Sequence, residues 1–258
     1  MTSVATLAWV TVREALRRKL AVNLLVFAVA LVSASIVISS LTFGEQYRII
    51  VDIGLSAMEV FGTLIAVFLG ASLVAGDVER RTVYPIVAKP VSRAQYVVGR
   101  YLGLVATTTL NLAVMAVFFV GTLAVYLHDV RFVATTPLFA TLAGIALQLA
   151  MIAAVAVLFS TFTSSTLASI FTLSLVVAGH LASEVPRYWS KQGVAGAWMG
   201  KGIYLVLPNL EALNLKEAMV YKDSPAAGAL ALAFGYAILY ATGVVALAAA
   251  TFSRRDLR

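Results

Sequence analysis

The sequence predicts an all-α integral membrane protein with six transmembrane helices, an N-terminal interfacial amphipathic helix and short outer helices between spans 5 and 6. Two observations support this fold class. The 258 residues are 61% hydrophobic and only 12% charged, whereas charged residues make up about a quarter of an average soluble domain. The apolar residues also form segments of the roughly 20 residues that a helix needs to cross a bilayer.

These apolar segments arrange the chain as a single transmembrane domain. Val4, Leu7 and Thr11 recur at helical spacing in residues 2–19, with Trp9 at headgroup level, which is typical of a helix lying in the membrane interface. We expect spans at residues 20–41, 55–75, 96–127, 138–160, 166–183 and 226–252. The main connections are a cytoplasmic loop at 76–95 and an outer segment at 184–225.

The distribution of charge predicts which side of the membrane each connection faces. The chain has 19 Lys and Arg against 12 Asp and Glu, a formal net charge of +7. Basic residues collect in short cytoplasmic loops and next to anionic lipid, and here they are dense before the first span, in residues 76–95 and at the C-terminus. We therefore expect both termini on the cytoplasmic side of a cell inner membrane. The charge is interpreted as topology rather than as nucleic-acid binding.

The polar run from Gly76 to Gly103 contains several local signals. We count Arg100 among its basic loop residues. Ser92-Arg93-Ala94-Gln95 is a capping-box sequence, which predicts that a helix starts at Ser92. Gly99 and Gly103 form a GxxxG pair that permits close helix approach. The apolar cluster Val83–Val87 is too short to span, so we expect it to dock into a partner.

A longer series of residues in this run suggests a family. The series is Glu79, Thr82, Val83–Val87, Pro90, Ser92, Arg93 and Tyr96. It resembles the first cytoplasmic loop of ABC-2 type transporter permease subunits, although Arg81 stands where a Gly is common and Pro85 interrupts the short helix. The resemblance implies that this loop inserts into a groove on a separate ATP-binding subunit. The implied coupling residues are Glu79, Thr82, Val83, Tyr84, Ile86, Val87 and Arg93.

The outer segment carries a second resemblance. Pro208-Asn209 is a helix start, and the run Leu207–Leu210 with the following Asn214 resembles the outer segment of ABC-2 permeases. The similar subgroup contains the membrane subunit of the nitrous-oxide-reductase maturation machinery. The resemblance implies an ABC ATP-binding subunit dimer, a second permease copy and an outer or periplasmic partner. It also implies a substrate path between the two permeases, with Val105–Ala116 of the third span, or the facing part of the first or fifth span, near that seam.

Motifs for chemistry are sparse. The chain has no GxxxxGK[ST] phosphate loop, so we expect no cofactor on this chain and ATP with Mg on the partner subunit. It has no cysteine, which excludes disulfides and thiolate catalysis. Ser56 and His180 share an outer level, which leaves an intramembrane hydrolase as a remote alternative. A non-transporting membrane scaffold or assembly factor is the other alternative.

Four polar residues inside the predicted spans are candidates for a functional role. Glu59 and His180 are the ionisable ones, and such residues are functional hypotheses by default. Interface pairing or snorkelling is the competing interpretation of Glu59. Asn111 and Gln148 lie mid-span, where an amide must find a partner. Glu59, Asn111 and Gln148 are therefore candidates for a substrate path or for a seam between helices.

Overall fold

The computed structural model describes residues 3–40, 46–79, 92–127, 136–190, 198, 207–216, 219 and 226–254. The helices in this part of the chain are α1 (Ser3–Leu16), α2 (Lys19–Ser40), α3 (Gln46–Glu79), α4 (Arg93–Leu127), α5 (Thr136–Ser160), α6 (Ser165–His180), α7 (Glu184–Ser190) and α8 (Ala227–Arg254). A 3-10 turn at Glu211–Leu213 lies between α7 and α8. The described residues contain no strand, and the predicted all-α class is confirmed.

Five of these helices, α2, α3, α4, α5 and α8, are long and apolar enough to cross a membrane. The fifth predicted span, α6, has 16 residues and a length of about 24 Å at 1.5 Å per residue. It ends at His180 rather than at the predicted residue 183. The reason is that the Gly179 carbonyl accepts hydrogen bonds from the Ala182 and Leu210 N–H groups, each at 3.3 Å, which starts a turn.

Two helix starts differ in how well the sequence predicted them. α3 begins at Gln46, nine residues before the predicted start at residue 55, because Ile50 and Val51 are fully buried in the core and extend the packed face of the helix. α4 begins after Ser92, as the capping box predicted. The Gln95 N–H donates to Ser92 Oγ at 3.2 Å, and the Ser92 N–H donates to Gln95 Oε1 at 3.0 Å.

α3 lies at the centre of the bundle and packs against α2, α4, α5 and α6. One apolar core forms around α3, α4 and α5, with Leu55, Met115, Phe119 and Leu149 fully buried. α8 packs on α5 through a stripe of small residues that includes Ala241. α2 and α8 leave most of their surface uncovered, so in this single chain they are the helices that a bilayer or a partner can reach.

The N-terminal helix α1 lies across the start of α4, and the GxxxG pair forms its seat. A Cβ atom added to Gly103 would lie 2.5 Å from Thr11 Cβ and 2.6 Å from the Ala8 carbonyl oxygen. The predicted close approach is therefore confirmed, with α1 as the partner of α4. Trp9 on the opposite face of α1 is 57% exposed. We call this end of the bundle the α1 end, and the end that carries residues 207–216 the far end.

Candidate functional site at the two ends of the bundle

The predicted coupling residues fall mostly on the loop between α3 and α4. Thr82, Val83, Tyr84, Ile86 and Val87 lie outside the described residues.

The two remaining coupling residues mark the flanks of this loop. Glu79 is the last residue of α3. Arg93 is the first residue of α4, and its Nη1 donates to the Ser253 carbonyl oxygen at 3.0 Å. The structure therefore describes where the loop leaves α3 and enters α4, and it joins the start of α4 to the end of α8.

A buried ionic cluster lies next to these flanks. Arg100 on α4 is 5% exposed, and Asp77 on α3 is 8% exposed. The Arg100 Nη2 and the Tyr96 hydroxyl both donate to Asp77 Oδ2. Charge-assisted hydrogen bonds of this type are among the stronger ones in proteins. The last two turns of α3 are thus joined to the first two turns of α4.

Glu14 connects the same cluster to α1. It accepts from Arg100 Nη1 at 2.8 Å and from Arg18 Nη2 at 2.7 Å. Arg18 Nη1 also donates to Ser72 Oγ on α3 at 2.8 Å. Burial by itself would raise the pKa of Glu14, but the hydrogen bonds from Arg18 and Arg100 outweigh it and hold that pKa below its ordinary value. Glu14 is therefore ionised at neutral pH, and we call Glu14, Arg18, Asp77, Tyr96 and Arg100 the α1-end cluster.

The burial of Arg100 corrects its interpretation as one of the basic loop residues. It lies seven residues into α4, on the same face as Tyr96 and Gly103, and this face packs on α1 and α3. The burial of Arg100 could have been predicted from the capping box at Ser92. A helix that starts there places Arg100 about two turns inside the helix rather than in the loop.

A second cluster lies at the far end and contains three of the four candidate polar residues of the predicted spans, Glu59, Gln148 and His180. Glu59 on α3 is 7% exposed and Gln148 on α5 is 1% exposed. The Gln148 Nε2 donates to Glu59 Oε1 at 2.7 Å. Lys216 forms an ion pair with Glu59 Oε2, and its Nζ also donates to Ser56 Oγ at 3.2 Å. Glu59 is thus paired with a residue of the outer segment.

His180 lies between the two carboxylates at this end. Its Nε2 is 3.4 Å from Gln148 Nε2 and 3.6 Å from Glu59 Oε1, and its Nδ1 is 3.7 Å from Glu211 Oε2. Because Gln148 Nε2 is a donor, the contact favours His180 Nε2 as acceptor and the proton on Nδ1, an assignment that follows from the hydrogen-bond network. We call Glu59, Gln148, His180, Glu211 and Lys216 the far-end cluster.

Two glycines let the outer segment lie directly on α5 and α6. A Cβ atom at Gly144 would lie 2.7 Å from the Leu213 carbonyl oxygen, and one at Gly179 would lie 2.7 Å from the Pro208 carbonyl oxygen. Nothing in the local sequence marks these glycines, because their role depends on a segment 30 to 70 residues away along the chain.

The start of this segment is ordered by Asn209. The Ala212 N–H donates to Asn209 Oδ1 at 3.2 Å, next to the three-residue 3-10 turn at Glu211–Leu213, whose N-cap residue is Leu210. The Asn209 N–H donates to the Tyr236 hydroxyl on α8 at 2.9 Å. Residues 207–216 therefore contact α5, α6 and α8 together.

Asn111, the third predicted path residue, lies apart from the far-end cluster. It is 4% exposed on α4, and its Nδ2 has no hydrogen-bond partner among the described residues. Its neighbours Thr107, Leu112 and Met115 are also buried within the single chain. Asn111 thus faces the core of its own bundle, while the exposed face of this part of α4 includes Leu110.

The hydrolase alternative gains no support from the geometry. Ser56 Oγ accepts from Lys216, and the His180 nitrogens face Gln148 and the two carboxylates. In the described part of the chain, no hydrogen bond joins Ser56 to His180.

The comparison with protein families gives the identification. The chain matches the family model described as ABC-2 family transporter protein over residues 44–257. The chain belongs to this family. The matched range contains α3 to α8, including the far-end cluster, and leaves α1 and α2 before it. No curated protein matches the chain.

Membership in the ABC-2 family has two consequences. The chain is a multi-pass membrane protein and a permease component of an ABC transporter, and a permease is a transport component rather than a catalyst.

Proposed function

We propose that this chain is the permease subunit of an ATP-driven ABC-2 type transporter. ATP and Mg are bound by a separate ATP-binding subunit dimer, and hydrolysis there drives export or mechanical action on an outer partner. Two permease copies form a homodimer with the substrate path between them. The observation that carries the proposal is the α1-end cluster, which joins both flanks of the predicted coupling loop to α1.

The cluster gives the loop a mechanical connection to the bundle. Residues 80–91 leave α3 two residues after Asp77 and enter α4 shortly before Tyr96 and Arg100. Because these three side chains are joined by buried hydrogen bonds, a displacement of the loop moves the ends of α3 and α4 together. Glu14 extends the unit to α1. Packed elements with such connections move as bodies rather than deforming continuously.

The far-end cluster supports the second half of the proposal. Residues 207–216 are fastened to α3 through Lys216 and to α6 through the contact of Glu211 with His180. A movement of α3 at the α1 end therefore reaches the outer segment along the same helix. This continuity favours a coupled machine over a passive scaffold. The proposed likeness to the subgroup with the nitrous-oxide-reductase maturation subunit rests on Leu207–Leu210 and Asn214 of the outer segment.

The membrane orientation is part of the proposal. The basic residues before α2, in the loop and at the C-terminus support a cytoplasmic α1 end and an outer far end of a protein in the inner membrane. Single cysteines introduced at Lys191 and Arg254 test this assignment in the naturally cysteine-free chain. An impermeant thiol reagent added outside should label only the first, and labelling of both from one side would rule out the six-span topology.

The coupling hypothesis is tested by Tyr84→Asp and Val87→Asp in a tagged chain purified from its native membrane. An apolar anchor in a groove contributes about 2 kcal/mol or more, so a buried unpaired carboxylate should weaken association roughly 30-fold or more. We expect normal membrane insertion, loss of the co-purifying ATP-binding subunit and loss of Mg-ATP hydrolysis by the purified complex.

Tyr188→Asp is the matched control, because Tyr188 is 62% exposed on α7 at the far end. It should keep both the ATP-binding subunit and the hydrolysis rate. If Tyr84→Asp and Val87→Asp also keep both, the loop is a topological anchor and the proposed coupling role is wrong.

A further inference from the structure

An open cavity of about 380 Å³ lies between α3 and α6 at the α1 end. Its volume is within the range of ligand-binding pockets. The lining residues that the structure describes are Arg18, Phe68, Leu69, Ser72, Ser165, Thr166, Ser169, Ile170 and Leu173. The described lining thus combines one cation, four hydroxyl side chains and four apolar side chains.

The polarity of the cavity changes in the same direction along both helices. On α3, Ser72 is nearer to the α1 end than Phe68 and Leu69, which lie about one turn deeper. On α6, the first-turn hydroxyls are followed by Ile170 and then Leu173. The cavity therefore has a polar end at the α1 end of the bundle and an apolar end toward its middle, which matches a molecule with a head group and a hydrocarbon chain.

The polar end favours an anion. Arg18 uses one N–H toward Glu14 and one toward Ser72, and the guanidinium has five N–H donors in all. No acidic residue is present among the described lining residues. The N-terminus of α6 forms the same wall, its N-cap Ser164 makes no side-chain capping bond, and the positive end of the helix dipole favours negative charge there.

The apolar end is accessible from the side of the bundle. Phe68 is 36% exposed and Ile170 is 51% exposed in the single chain, so a hydrocarbon chain can lie against them. Neither residue belongs to the ionic clusters. The same cavity thus has an open apolar wall at Phe68 and Ile170 and a cationic polar end at Arg18.

We propose that this cavity binds an anionic amphiphile, with a phosphate-type head group at Arg18 and the hydroxyls and an acyl chain along Phe68, Ile170 and Leu173. The head-group chemistry is common to a membrane phospholipid and to a free phosphate-bearing amphiphile. This assignment does not depend on the coupling role of the loop, because the described lining residues are Arg18 and residues of α3 and α6.

The binding experiment uses the purified chain in a neutral detergent and native mass spectrometry. Phosphatidylglycerol is titrated against phosphatidylcholine of the same chain length, with inorganic phosphate and dodecyl phosphate as competitors. We expect phosphatidylglycerol to bind at least about tenfold more tightly than phosphatidylcholine, as for one charge-assisted hydrogen bond. Equal binding of the two lipids would overturn the anionic assignment, and displacement by inorganic phosphate at the concentration of dodecyl phosphate would overturn the amphiphile.

Dodecyl phosphate distinguishes the two sources of the head group. Competition by this single-chain compound supports a site for free amphiphiles, and binding of phosphatidylglycerol without such competition supports a site for a membrane lipid. Both outcomes keep the anionic amphiphile, since both require the apolar wall.

Two pairs of variants locate the site. Ser169→Phe should fill the cavity and abolish binding, whereas Ser174→Phe is its control. Ser169 and Ser174 each donate to the carbonyl four residues earlier at 2.9 Å, but only Ser169 lines this cavity. Arg18→Gln should weaken phosphatidylglycerol binding about tenfold, and Arg17→Gln, at an exposed neighbour, should not.

Unchanged binding in both Ser169→Phe and Arg18→Gln would overturn the proposal. The measurement needs neither ATP nor the ATP-binding subunit. A negative result here therefore leaves the coupling proposal intact, and a failure of Tyr84→Asp to uncouple leaves the lipid result intact.

Discussion

The two polar clusters differ in what they fasten. At the α1 end, Arg100 is buried between two carboxylates, and the partners belong to three helices that meet beside the predicted coupling loop. At the far end, the buried group is the carboxylate Glu59, and its cationic partner Lys216 belongs to the outer segment that packs on the bundle. One cluster joins helix ends to one another, and the other joins an outer segment to the helices.

This difference predicts different consequences when a partner is removed. Arg100 is shielded on all sides and its side chain is 6% exposed, whereas the Lys216 side chain is 20% exposed. A long basic side chain at a surface can turn its charge to water, but the buried charges of Arg100 and Asp77 have no such route. The α1-end cluster should therefore be the more sensitive of the two.

The largest expected effect is that of Arg100→Met, which leaves Asp77 buried without its cation. Removing one partner of a buried ion pair costs about 3–5 kcal/mol. The free energy of unfolding, measured by denaturant titration in mixed micelles, should fall by this amount. Arg13→Met on the exposed face of α1, where Arg13 lies 5.3 Å from the Trp9 ring, should cost about 1 kcal/mol or less.

The double variant Arg100→Met/Asp77→Asn checks the cause of that loss. With the carboxylate neutralised, no uncompensated charge remains, so part of the stability should return. A double variant as unstable as the sum of the two single variants would show that packing rather than charge explains the effect.

The next largest effect is at the far end, where Lys216→Met should lower the free energy of unfolding more than Glu59→Gln does. Lys216→Met leaves the buried Glu59 carboxylate with Gln148 and His180, at a cost of roughly 2–3 kcal/mol. Glu59→Gln leaves a lysine that can reach water, so it should cost about 1 kcal/mol. Denaturant titration of both variants measures this order. A larger loss for Glu59→Gln would contradict the assignment of Glu59 as the buried member.

The fold could be predicted from the sequence where a feature depends on hydrophobicity or on neighbouring residues in the chain. The bilayer selects long apolar segments, so the spans could be located from composition, and the capping box at Ser92 fixed the start of α4 because it is a local hydrogen-bond pattern. The extension of α3 back to Gln46 was missed, since it depends on Ile50 and Val51 packing against other helices. Local patterns cannot show such contacts.

The ionic clusters were predictable only in part. Glu59 and Gln148 stood out as polar residues in apolar spans, and the structure joins them to each other. Their contact with Lys216 could not be predicted, because it depends on the path of the outer segment over Gly144 and Gly179. The pairing of Arg100 with Asp77 could not be predicted for a different reason. Charged residues next to a basic loop are usually exposed to solvent, and only the orientation of α3 and α4 about their helix axes shows that these two side chains face each other.

A third prediction compares two glycines on the same helix. A methyl group at Gly103 would meet the backbone and Thr11 of α1 within 2.6 Å, while nothing lies within 4 Å of the corresponding position at Gly121. Gly103→Ala should therefore destabilise by about 1–3 kcal/mol through overpacking. Gly121→Ala should stabilise by up to about 1 kcal/mol, because alanine is the better helix former. Denaturant titration of the two variants should give opposite signs.

The Gly103 result also separates the two ends. If α1 is displaced, hydrogen exchange should increase in residues 3–16 and stay unchanged in residues 207–216. Gly144→Ala should give the reverse pattern, because its methyl group would meet the Leu213 carbonyl oxygen. Increased exchange at both ends from either variant would mean that the bundle transmits local strain between its ends.

The smallest expected effect is that of Glu14→Gln, because the Glu14 side chain is 35% exposed and such pairs contribute about 1 kcal/mol or less. Its diagnostic value lies in the pH dependence. The pKa of Glu14 is lowered in the folded protein by its hydrogen bonds to Arg18 and Arg100, which outweigh the opposing effect of burial. The contribution of Glu14 is therefore present above its unfolded pKa and is lost as the pH falls through its folded pKa. Hydrogen exchange of α1 in the wild-type chain should increase over that acidic range.

In Glu14→Gln, α1 should exchange slightly faster than in the wild type at neutral pH, and the additional acidic increase should be absent. Asp52→Asn is the control, because Asp52 is an exposed carboxyl on α3 near the far end, and it should leave the wild-type profile unchanged. The same acidic increase in Glu14→Gln would assign the titration to another group. The attachment of α1 would then rest on the glycine seat and on the hydrogen bond from Arg100 Nη1 to Thr11 Oγ1 at 3.3 Å, and the ion pair of Arg100 with Asp77 would join only α3 and α4.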